Sequence, residues 1–102
     1  MIDDNLLWII NWYDRQCDGD WEHQFGVKIE TLDNPGWSTT ISIQETELQD
    51  KNFQDICVER TEKDWIFCKV SNGFFEGNCG TFNLPEVLKI FREWAEGSQY
   101  GN

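Results

Sequence analysis

Residues 25–43, FGVKIETLDNPGWSTTISI, decide the fold. Phe25, Val27 and Ile29 alternate with Gly26, Lys28 and Glu30. Thr39, Ile41 and Ile43 alternate in the same way, and period two is the signature of strands with one buried face. Between them Asp33-Asn34-Pro35-Gly36 is turn chemistry: proline presets φ at the second position and glycine accepts positive φ. Parity restricts the pairing. For the odd-numbered residues of both strands to share a face, odd must pair with odd, which requires an odd-length loop or a bulge. Ile29 opposite Ile41 meets this condition and loops out residues 33–37, so Trp37 is expected in the loop rather than in the ladder.

A hairpin with one apolar face needs a cover, and the flanking segments supply it. Residues 4–16 read as a helix with Leu6, Leu7, Ile9, Ile10 and Tyr13 on its apolar face and Trp8 and Trp12 beside it. Asp3, Asp4 and Asn5 offer capping groups and favourable charge at its positive end. Asp18-Gly19-Asp20 stops it after Cys17. The polar run 44–52 is a connection. Residues 55–60 and 65–71 then read as strands about the turn Thr61-Glu62-Lys63-Asp64; with Arg60 facing Trp65, Cys57 falls opposite Cys68. Asn72-Gly73 marks a two-residue hairpin leading into a short strand at Phe74-Phe75-Glu76.

The last helix carries the clearest local signal. Asn83 stands at its cap, Pro85 in its first turn and Glu86 three residues after the cap. Leu84, Val87, Leu88, Phe91, Trp94 and Ala95 follow helical spacing, and Gly97 ends it. The expected architecture is α+β, one domain over residues 1–102. It consists of an N-terminal helix, an antiparallel β-meander of about four to five strands, and a C-terminal helix, with both helices on one sheet face.

Nineteen acidic residues against eight basic ones give a formal charge of −11. That field repels nucleic acid and anionic membrane and speeds association with a basic protein. Six Trp, seven Phe and two Tyr argue against disorder. No apolar run is long enough to span a membrane and no leader pattern is present, so a cytoplasmic location is expected. The four cysteines include no Cys-x-x-Cys pair and read as reduced thiols, most of them small core residues.

Chemistry has few candidates. His23 is the single histidine, and a small enzyme would have to use it with Cys17 or with the cluster Asp18, Asp20 and Glu22. Those acids alternate like the start of a calcium loop, but His23 replaces the glycine of the sharp turn and Ile29 the closing bidentate glutamate. No metal, cofactor or catalytic set is therefore expected. Clustered tryptophans leave a carbohydrate-binding aromatic platform as another class, against the commoner reading that they form the core.

The run W-Y-D-R-Q-C-D-G-D-W-E-H-Q-F-G-V from Trp12, followed by T-L-D-N-P-G-W ending at Trp37, resembles the immunity protein 53 family of bacterial polymorphic toxin systems. The likeness is close over residues 8–43, and Trp65 and the Leu84–Trp94 helix extend it to nearly the whole chain. It implies a cytoplasmic, non-enzymatic antitoxin, monomer or weak dimer, that blocks the active site or substrate groove of a cognate toxin domain. Such toxins are frequently nucleases, whose basic groove suits an acidic plug. The residues carried over are Trp12, Tyr13, Gln16, Cys17, Asp18, Gly19, Asp20, Trp21, Glu22, His23, Asp33, Asn34, Pro35, Gly36 and Trp37. Of these, Asp18, Asp20, Trp21, Glu22, Asp33 and Trp37 are the expected partner contacts. Gly19, Pro35 and Gly36 are expected to hold turns, and Trp12 and Tyr13 to pack on the sheet.

Overall fold

The computed structural model describes residues 4–97. Helix α1 (Asp4–Gln16) and a single-turn helix α2 (Trp21–Gln24) lead into strands β1 (Val27–Leu32) and β2 (Gly36–Ser42). Strands β3 (Ile56–Glu59), β4 (Trp65–Ser71) and β5 (Phe74–Cys79) follow, and helix α3 (Leu84–Glu96) closes the fold. The five strands form one antiparallel sheet in the order β1-β2-β5-β4-β3. The expected α+β architecture holds, with one departure from sequential order. After β2 the chain crosses to the far edge, and β5 returns to pair with β2.

Both helices lie on one sheet face, as expected. Val27, Ile29, Ile41, Phe75, Cys79, Ile66 and Cys68 point towards Ile9 and Trp12 of α1 and Val87, Leu88 and Phe91 of α3. Phe91 is the hub, its ring centroid 5.4 Å from Trp12, 6.2 Å from Trp8, 5.1 Å from Phe75 and 6.0 Å from Trp94. A side chain on Gly77 would collide with Val87, so glycine there lets α3 seat on β5. Asn72 and Gly73 both take positive φ, 55° and 85°, which the two-residue hairpin between β4 and β5 requires.

Several expectations need correction. Val27, not Ile29, stands opposite Ile41, and Trp37 pairs with Thr31 inside the ladder. Odd does pair with odd, but the loop is only Asp33, Asn34 and Pro35, with a cis Asn34–Pro35 bond. Gly36 is a strand residue without positive φ; any Cβ there would strike the Cys79 carbonyl, and close approach is why it is glycine. Glu59 rather than Arg60 faces Trp65, so Cys57 opposes Phe67 and is exposed, while Cys68 opposes Ile56 and is buried. Two of the four cysteines, Cys68 and Cys79, are core residues, and burial pushes their thiols up to about 12 and about 11.

The first helix is rotated from expectation, burying Ile9 and Trp12 and leaving Leu7 and Ile10 exposed. Two tryptophans packed beside Phe91 outweigh aliphatic side chains at the competing positions. Asp3 lies outside the described residues. Phe25 precedes β1 instead of starting it, and β5 continues past Glu76 to Cys79. The Asn83 side chain does not cap its own helix. Its amide donates to Asp64 at 2.9 Å and Glu86 at 3.3 Å, and its carbonyl oxygen accepts from the Trp65 N–H at 3.3 Å.

Candidate partner-binding surface

The Asp18-Gly19-Asp20 turn and α2 form a corner built by carboxylates that satisfy nearby amides. Asp18 accepts from the N–H groups of Asp20 and Trp21, both at 2.9 Å, and starts α2. The Glu22 carboxylate reaches back to the N–H of Asp18 at 3.0 Å and of Gly19 at 2.9 Å. Gly19, at φ 97°, makes the turn possible. These amide bonds hold both carboxyls below the usual carboxylate range, Asp18 chiefly through the Trp21 amide and Glu22 chiefly through its own. The Asp20 carboxylate makes no hydrogen bond among the described residues.

Tertiary packing adds acids that the local sequence does not show. The connection after β2 is tied to this corner: the Trp21 indole donates to the Gln44 carbonyl at 2.9 Å, and the Trp12 indole to Glu47 at 2.8 Å. Gln16 also reaches Glu47, at 3.3 Å. Glu45 and Glu47 thereby join Asp18, Asp20 and Glu22, and none of the five enters an ion pair among the described residues.

The expected contact residues separate into two groups and two kinds. Asp18, Asp20 and Glu22 lie just before β1, and Asp33 just after it. A six-residue strand spans about 20 Å, so they occupy opposite ends of one sheet edge. Asp18, Asp20 and Asp33 are exposed and Glu22 is partly so. Trp21 is 4% exposed and packs on Trp12, Tyr13 and Phe25. Trp37 is half-buried and donates its indole N–H to the Thr81 carbonyl at 3.0 Å. Both indoles donate to backbone carbonyls of other segments, Trp21 to Gln44 and Trp37 to Thr81.

Between the two acidic ends runs an apolar groove of about 380 Å³, with Leu6, Ile10 and Tyr13 of α1 on one wall and Val27 and Ile29 of β1 on the other. Sequence reasoning missed it because helical spacing alone puts Ile10 on the apolar face of α1 with Ile9 and does not show that it is left exposed. It also missed Phe82, 90% exposed at the mouth of a second cavity of about 400 Å³ beside Asn34, Pro35 and Trp65. Phe82 sits in a connection, outside any periodic pattern that would have marked it.

The other chemistries find little geometry. Cys17 Sγ donates to the Tyr13 carbonyl at 3.4 Å, and no hydrogen bond joins it to His23 among the described residues. No three His, Cys, Asp or Glu side chains there are grouped to hold a metal ion. None of the six tryptophans is fully exposed. No helix among the described residues is long and apolar enough to cross a membrane.

Fold and surface together define a small acidic α+β domain open along one sheet edge. The chain belongs to the immunity protein 53 family, whose family model matches residues 6–96. Membership makes it an immunity protein, the kind that binds a toxin. No curated protein and no solved structure matches the chain.

Proposed function

We propose that the chain neutralises the toxin domain of its own polymorphic toxin system in the bacterial cytoplasm, as a binder and not as an enzyme. The toxin surface it meets is basic, as the substrate groove of a nuclease is. Asp18, Asp20, Glu22 and Asp33 are the proposed contacts, with Trp21 and Trp37 holding the backbone that presents them. The observation that carries this reading is the unneutralised corner, where five carboxylates stand without an ion pair in a chain of net charge −11. Uncompensated charge of one sign raises the encounter rate with a partner of the other.

The test is co-expression with the toxin domain encoded immediately upstream, followed by stopped-flow mixing of the purified pair. The chain should restore growth and form a stable complex. Its association should slow as salt rises, because the screening length is only about 10 Å at 0.1 M. Absence of both protection and complex would refute the reading; salt-independent association would refute the acidic surface alone.

A further inference from the structure

Strand β1 is an edge strand, and its free side faces the groove under α1. The backbone phase can be fixed twice. The Ser42 N–H donates to the Gly26 carbonyl at 2.9 Å, which makes Gly26 and Ser42 a hydrogen-bonded pair continuing the register Val27↔Ile41. Opposed residues alternate between bonded and non-bonded pairs in an antiparallel ladder. Lys28, Glu30 and Leu32 therefore turn their amides towards β2, and Val27, Ile29 and Thr31 turn theirs outward. Independently, the Ile43 N–H donates to the Gly73 carbonyl at 2.9 Å, which points the odd residues of β2 at β5 and its even residues at β1. Beyond β1 no further strand stands among the described residues.

We propose that the toxin segment this chain recognises is an extended strand that adds to the free edge of β1 and lays alternate apolar side chains into the groove beneath α1. This rests on the immunity reading above. A strand added beside Val27, Ile29 and Thr31 satisfies their outward amides and carbonyls, and every second side chain it carries falls on the face those residues share. On that face the groove waits, apolar on both walls. Ile10 is 47% exposed there while its neighbour Ile9 is 2% exposed, so α1 leaves an apolar side chain over the groove that nothing in the fold covers.

Charge selects the occupant. Asp20 and Glu22 stand at one end of β1 and Asp33 at the other, and the one cation on the strand, Lys28, lies 3.8 Å from Glu30. A strand with basic residues at its ends and alternating apolar residues between them matches this layout. A second copy of the chain does not, since it brings another −11 of like charge to the same edge.

The decisive experiment is titration calorimetry with the purified toxin domain encoded immediately upstream. Ile29→Pro removes an outward N–H and the Ile29 side chain from the groove wall but no β1–β2 hydrogen bond, so strand addition is blocked while the ladder keeps its bonds. It should weaken binding by about 100-fold or more with circular dichroism unchanged. Ile10→Glu places a carboxylate over the groove without touching the β1 backbone and should weaken binding by about 10-fold or more. Leu7→Glu, on the outward side of α1, should bind as wild type.

Wild-type affinity in a folded Ile29→Pro chain overturns the proposal. If that variant does not fold, wild-type affinity in Ile10→Glu overturns it instead. Either result leaves the immunity reading standing, whereas failure of the wild-type chain to bind at all removes both. Sedimentation decides against the toxin as occupant if the wild-type chain is a dimer that Ile29→Pro converts to monomer.

Discussion

The two sides of the sheet use acidic residues in opposite ways. On the side of β3 and α3, Arg60 holds Asp64 at 2.7 Å and Glu86 at 2.8 Å, and the buried amide of Asn83 donates to both. Asn83 and Arg60 draw the Asp64 carboxyl below the usual range, and Arg60 does the same for Glu86. On the side of α2 and β1, Asp18 and Glu22 are satisfied by backbone amides alone, which fixes their geometry but leaves their charge. The edges differ too: β3 is four residues long, while β1 is six and borders an apolar groove. Short strands are how sheets close an edge. A cation, or its lack, separates the acids of the β3 side from those of the corner, which are the proposed partner contacts.

The largest effect expected away from the β1 edge is on stability. Asn83→Ala should lower the unfolding free energy by about 1–3 kcal/mol, because the Trp65 N–H and two carboxylates lose a buried partner. Toxin association should not change. Chemical unfolding and stopped-flow measurements on one sample check both halves, and a slowed association would mean that the two sides are not separate.

Asp20→Lys is the converse. Its carboxylate bonds to nothing among the described residues, so stability should hold while association slows by about fivefold to tenfold at low salt. An unchanged rate would take the corner out of the encounter.

Acid sharpens the contrast further. The folded-state carboxyls of Asp64 and Glu86 titrate below their unfolded values. The stability they add is complete above the unfolded range, about pH 4, and is lost as pH falls through the folded values. Arg60→Gln should flatten that loss in urea midpoints measured from neutral pH downwards; a slope as steep as wild type would mean that Arg60 is not what lowers them.

The smallest effect lies between the two sides. The Thr39 hydroxyl is fully buried without a hydrogen-bond partner among the described residues, so Thr39→Val should stabilise the fold by up to about 1 kcal/mol. A loss of stability would show that the hydroxyl has a partner.

The elements were legible in the sequence because their signals are local. Alternation marked β1 and β2, Asn72-Gly73 marked the hairpin, and the spacing from Leu84 to Ala95 marked α3. Register was not legible. It depends on how many of Asp33, Asn34, Pro35, Gly36 and Trp37 leave the ladder, and Gly36 stands in it opposite Leu32, where the nearby Cys79 carbonyl leaves no room for a Cβ. The rotation of α1 was hidden for a similar reason, since Leu7 and Ile10 fit an apolar face as well as Trp8 and Trp12 until Phe91 is in place. The acids of the surface were visible, but not their distribution along one edge, nor Glu45 and Glu47, which join the corner across a long stretch of chain. The groove arises only where α1 and β1 meet, so no single stretch encodes it.

Amide hydrogen exchange along β1, in the free chain and in complex with the toxin domain, tests the central claim most directly. Lys28 and Glu30, bonded to β2, should exchange slowly in both states. Ile29 and Thr31 should exchange fast in the free chain and slow by about 100-fold or more in the complex. A tight complex in which Ile29 and Thr31 still exchange fast would contradict the account and move the toxin to another surface.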